Sequence, residues 1–228
     1  VKALEIFEQI SDKTGITNSL RQLAFIYKDK GDFDTALNYN IKSLQNYGDL
    51  GYGDAELSVL EWIGWAYFTM GKYDKSIEYY EKRINLDREF INKEKMAFIY
   101  SKLGFNYFYS NNNLKALECF EMSTKLSLEV QNEQLLQVKI YLSLIKKLLG
   151  REYRTKEILS IIEDEEKVRN YYVDQFGLYK LLEDMRYLEK AYNDIQRKAN
   201  KMKNEFKEDY LNYPVQKQII EEYNKLFS

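Results

Sequence analysis

Histidine is absent from this 228-residue chain, proline and cysteine occur once each, and glycine only ten times. Each shortage excludes something. Without histidine, the commonest general base near neutral pH and the commonest neutral metal ligand are both missing. GYG at Gly51–Gly53 lacks the Lys-Ser/Thr and the preceding strand of a phosphate-binding loop. The expectation is therefore no cofactor, no metal and no enzymatic activity. The single Cys119 forms no internal disulfide, is read as a small buried hydrophobe, and fits a reducing, cytoplasmic setting. No hydrophobic run is long enough to span a bilayer and no signal-peptide pattern is visible, so no membrane insertion is expected. A net charge of −2 argues against nucleic acid as the principal partner.

What is present is helical periodicity with few breakers. The apolar fraction of 45% excludes general disorder. In Leu60–Leu86 two amphipathic stretches meet at Gly71, where a left-handed residue is cheap only for glycine. Leu60, Ile63, Gly64 and Tyr67 share one face of the first stretch, and Ile77, Tyr80 and Ile84 one face of the second. Neither helix could bury its stripe alone. Ala24, Gly64 and Gly104 stand 40 residues apart, and the pattern around them recurs with them.

The unit resembles a tetratricopeptide repeat, in which a large residue, a Leu-Gly pair, a Tyr, a small residue and an aromatic follow in order. Those slots hold Leu60, Ile63-Gly64, Tyr67, Ser76 and Tyr80. In the preceding unit they hold Leu20, Leu23-Ala24, Tyr27 and Ala36, with Asn40 where an aromatic is usual. In the following one they hold Tyr100, Leu103-Gly104, Tyr107, Ala116 and Phe120. The period exceeds the usual 34, as in 40-residue members of the family. The resemblance implies an all-α, right-handed solenoid of antiparallel helix pairs. Its expected segments are a second helix of a truncated repeat (1–16), repeats at 17–52, 53–92 and 93–131, a degenerate repeat (132–169), a weak one (170–209) and a C-terminal capping helix (210–228). The start in mid-pattern is read as that of a fragment. EDEE at Glu163–Glu166 and RKANKMK at Arg197–Lys203 read as solvated faces.

Beyond the repeat slots, several first-helix residues project from the opposite face. The resemblance implies that first helices line a concave surface where peptides bind. Aligned by the period, one row reads Phe25, Trp65, Phe105, Leu144, a second Arg21, Glu61, Ser101, Ile140, and a third Lys28, Phe68, Phe108, Lys147, flanked by Trp62 and Tyr109. A helix that is apolar on two sides must be covered on both or must bind something. The expectation is a protein-interaction module binding a peptide or partner segment in an aromatic groove, as part of a larger regulatory or scaffold protein. The alternatives are a homo-oligomerising solenoid with no separate ligand, and C-terminal helices that fill the groove. The Lys/Asn-rich pattern of family members that clamp a C-terminal carboxylate is missing. Peptide-controlled tetratricopeptide phosphatases carry their active helices before the array, and this chain starts too late to contain them.

Overall fold

Residues 2–47, 53–87, 92–130, 136–162 and 171–227 are described by the structure, a computed structural model. Within them lie thirteen helices and no strand. They are α1 (Lys2–Gln9), α2 (Lys13–Lys30), α3 (Phe33–Tyr47), α4 (Gly53–Thr69), α5 (Tyr73–Asp87), α6 (Lys93–Tyr109), α7 (Asn113–Glu129), α8 (Leu136–Leu148), α9 (Lys156–Ile162), α10 (Tyr172–Leu182), α11 (Met185–Ala199), α12 (Asn204–Asn212) and α13 (Pro214–Phe227). Among the described residues none of them is long and apolar enough to cross a membrane. Glu163–Glu166 lies outside the described residues, as does Gly51.

Two compact units divide the chain: Val1–Glu89 with Met202–Tyr210, and Phe90–Lys201 with Leu211–Ser228. In the first, α1 to α5 pack each against the next. In the second, α6 packs on α7, α7 on α8, α8 on α9 and α10, α10 on α11, and α11 on α13.

One turn geometry closes the hairpins. Gly31, Gly71, Asn111 and Gly150 all have positive φ, at 89°, 72°, 62° and 64°. Each donates its N–H to the carbonyl three residues back, and the next residue donates to the carbonyl five back: Gly31 to Lys28 and Asp32 to Tyr27, and likewise at Gly71, Asn111 and Gly150. This is the double bond that satisfies a helix C-terminus, and it needs a left-handed residue. It recurs with the same 40-residue spacing as the close-approach slots.

Those slots are tight. A Cβ on Gly64 would meet the Tyr80 ring at 3.0 Å, and one on Gly104 the Phe120 ring at 2.8 Å. The small residue opposite Gly64 adds a bond: Ser76 Oγ donates to the Gly64 carbonyl at 2.7 Å, and both residues are buried. Ser123 Oγ does the same for the Ala97 carbonyl in α6, also at 2.7 Å.

In the second unit α10 is buried on nearly every side, which its all-round apolar sequence YVDQFGLYKLL requires. Both of its ends are satisfied from elsewhere. Buried Asp194 accepts the Tyr172 N–H at 3.2 Å, and Lys147 Nζ donates to the Leu181 carbonyl at 3.0 Å. Gly177 lets it approach α8, since a Cβ there would lie 2.7 Å from Tyr141. Arg197 and Lys198 are not merely solvated, as the sequence suggested: both pair with Asp194. The capping helix α13 buries Val215 and Ile219, whereas Leu226 stays exposed. Glu222 of α13 accepts from Tyr179 Oη at 2.8 Å and pairs with Lys180.

Two predictions follow from this packing. Alanine in mid-helix is intrinsically better than glycine by about 1 kcal/mol, yet Gly104→Ala should lower stability, within the roughly 1–3 kcal/mol cost of overpacking. Gly64→Ala, with 0.2 Å more room, should cost less; thermal or urea melts of both variants check the order. The Tyr179 phenol is pushed up to about 12, first by burial and then by its hydrogen bond to Glu222. A raised phenol pKa stabilises the fold below pH 10, and this contribution is lost as pH rises from 10 to about 12. Glu222→Gln should narrow that window without abolishing it, because burial is the larger cause, and a spectrophotometric tyrosinate titration reads the change.

Candidate functional site

The first unit holds an open cleft of about 570 Å³ between α2 and α4, lined by Asn18, Arg21, Gln22, Ala24, Phe25, Ile26, Asn40, Ser58, Val59 and Trp62. None of these lining residues is acidic. Phe25 and Ile26 are exposed at its lip, at 57% and 46%, while Ala24 and Asn40 are buried beneath. Arg21 Nη1 donates to Tyr47 Oη at 3.3 Å, which fixes its aim and leaves further donors of the guanidinium fork. The Lys28 ammonium lies 4.3 Å from the Phe25 ring centre and 4.9 Å from that of Trp62. Such contacts are worth about 0.5–1 kcal/mol each at exposed sites, so Lys28 holds both rings in place.

The groove residues expected from the sequence divide in two. Arg21, Phe25 and Trp62 line this cleft, with Lys28 beside it. Trp65 stands 4.9 Å edge-on to Trp62 and 5.6 Å from Phe33, packed against the core that contains Ile63 and Ala66. Phe68 lies against Tyr73 at 5.8 Å. Glu61 is engaged by the buried Arg83 at 3.6 Å.

In the second unit the same rows are largely closed. Ser101, Phe105 and Leu144, expected on the groove surface, are buried at 1%, 5% and 2% exposure. The reason is Tyr141 of α8. Its ring sits 4.8 Å from Phe105, 5.0 Å from Phe108 and 6.3 Å from Phe120. Its hydroxyl donates to the Val173 carbonyl of α10 at 2.9 Å and lies 2.8 Å from Tyr109 Oη. Burial drives the Tyr141 phenol well above its ordinary pKa, so it stays protonated and keeps donating. Lys147, read as a groove cation, caps α10 instead.

Sequence reasoning missed Asn18, Gln22, Ile26, Ser58 and Val59. The signal for the cleft was nonetheless present in Asn40, which holds an aromatic slot without an aromatic. Where the slot is filled, Tyr80 and Phe120 press on Gly64 and Gly104; where it is not, Ala24 and Asn40 floor a cleft. A second, smaller cleft of about 350 Å³ lies between α8 and the α8–α9 connection, with Lys139, Lys146, Glu152 and Arg154 among its walls. Among the described residues, no cluster of acidic and cysteine side chains could hold a metal ion.

Residues 15–89 match the tetratricopeptide repeat family. The fold is similar to the apo form of RapI, with a TM-score of 0.66 at 12% identity, over 96% of this chain and 67% of RapI. It is also similar to a Podosopora anserina protein described as a kinesin light chain with nearly identical TPR-like repeats. There the TM-score is 0.52 at 13% identity, over 92% of this chain and 97% of that one. No curated protein sequence matches the chain. The fold is thus the all-α solenoid of paired helices expected from the repeat pattern.

Trp62 and Trp65 are the two tryptophans of the chain, and their surroundings differ. With Trp65 replaced by Phe, the remaining Trp62 should be quenched readily by acrylamide. With Trp62→Phe, the remaining Trp65 should be quenched distinctly less. Equal quenching of the two variants would contradict the placement of Trp62 in the cleft and Trp65 against the core.

Proposed function

Because this chain belongs through residues 15–89 to the tetratricopeptide repeat family, whose helix pairs form protein-interaction modules, we propose that the α2–α4 cleft is the docking site for a partner's peptide segment. The observation that carries this reading is Phe25. A phenylalanine 57% exposed is held upright by Lys28 beside Trp62, over a cleft with a cation and no carboxylate. Leaving a large ring in water forgoes roughly 1.5–3 kcal/mol of burial, which a docking segment recovers. Aromatic anchors of this kind dominate binding energies at protein interfaces.

Charge sets the rest of the ligand's character. Arg21 offers a fork of donors to a carboxylate, and amides at Asn18, Gln22 and Asn40 suit a peptide backbone. The segment therefore combines an apolar anchor with an acidic residue. No catalytic role is proposed for the cleft, which contains no nucleophile paired with a base.

Dodecapeptides selected on the full-length 228-residue chain from a displayed library provide the test. Phe25→Ala, which removes an exposed ring and leaves the fold intact, should weaken the selected peptides tenfold or more, about 1.4 kcal/mol. Arg21→Gln should weaken preferentially those that carry Asp or Glu. Peptides that bind both variants as tightly as the parent would overturn the assignment. So would a doubling of mass by light scattering that Phe25→Ala abolishes, since the ring would then be covered by a second copy.

A further inference from the structure

The two units place equivalent residues in different company. In the second unit Phe120 of α7 is flanked by two rings, Phe105 of α6 at 5.2 Å and Tyr141 of α8 at 6.3 Å. Two periods earlier in the sequence, the positions of Phe105, Phe120 and Tyr141 are taken by Phe25, Asn40 and Trp62. The outer two are again aromatic, and the middle one is not. All three line the cleft. The first unit thus has the two flanks of a three-ring cluster with the central ring missing. Lys28 lies over both flanks.

From this we infer that the docked segment supplies the missing ring: its anchor is an aromatic side chain, inserted between Phe25 and Trp62 above Asn40. The inference rests on the docking function proposed above and narrows its ligand from an apolar to an aromatic one. Three features favour a ring over an aliphatic chain. Ring pairs gain about 0.5–1.5 kcal/mol beyond the area they bury, and two such partners stand ready here. Ala24, at 2% exposure, replaces the glycine of the other units and raises the floor of the cleft, which suits a flat side chain entering from the open side. The Asn40 carboxamide at that floor can meet a polar tip, so tyrosine is accommodated as well as phenylalanine.

The test substitutes the ligand and leaves the protein unchanged. Peptides selected on the full chain are resynthesised with each residue in turn replaced by Leu and measured by fluorescence anisotropy. One Phe, Tyr or Trp should stand at a fixed distance from the acidic residue, its replacement by Leu should cost tenfold or more, and binding of the parent peptide should shift Trp62 emission in the Trp65→Phe protein. Peptides anchored by Leu or Ile that still depend on Phe25 would overturn the aromatic inference and leave the docking site standing. Peptides indifferent to Phe25 would overturn the docking site itself. Aromatic peptides that bind without altering Trp62 emission would place the ring elsewhere and also refute the inference.

Discussion

Everything in this fold depends on how closely the two helices of a hairpin can approach. At Gly64 and Gly104 the approach is so tight that a single added carbon would touch an aromatic ring of the second helix. That contact requires a glycine on one helix and a large ring on the other. It also requires a turn that returns the chain at the correct angle, and the left-handed residue at Gly31, Gly71, Asn111 and Gly150 supplies it. Because the same requirement recurs every 40 residues, the first helices present equivalent residues in rows. Function then turns on what covers those rows.

The rows have opposite fates in the two units. In the second, Tyr141 and the buried helix α10 close over Phe105, Phe108 and Tyr109, and Lys147 is spent on the carbonyl end of α10. In the first, Phe25 remains in solvent and the ring that would have stood under it is an asparagine. The candidate site is therefore where the repeat departs from its own rule. A perfect repeat at that place would have been packed shut, and the exception leaves a cleft flanked by aromatic walls.

The hairpins of residues 17–130 were legible because glycine, small and aromatic slots are set by steric contacts inside one unit. The left-handed turn at Asn111 was legible too, since asparagine tolerates that conformation. Glu183, which ends α10 with φ of 60°, gave no such signal: an ordinary glutamate is held there by tertiary packing. Phe105 and Leu144 read as groove residues because the row alignment is correct, but their burial depends on Tyr141, far along the chain. Arg197 and Lys198 looked like a solvated run, and only the fold brings buried Asp194 and the start of α10 together beside them. Within the cleft, Arg21, Phe25 and Trp62 followed from the period, whereas Asn18, Gln22 and Ser58 are ordinary polar residues that become walls only when α2 and α4 stand side by side.

The central claim is that the cleft exists because the aromatic slot at residue 40 is empty, and one substitution tests it directly. Asn40→Phe should restore the ring found at Tyr80 and Phe120, fold with the same helical signal, and melt at the same temperature as the parent or higher. In that folded protein, affinity for selected aromatic peptides should fall tenfold or more, because the slot is filled from within. A stable Asn40→Phe protein that binds those peptides as tightly as the parent would contradict the account.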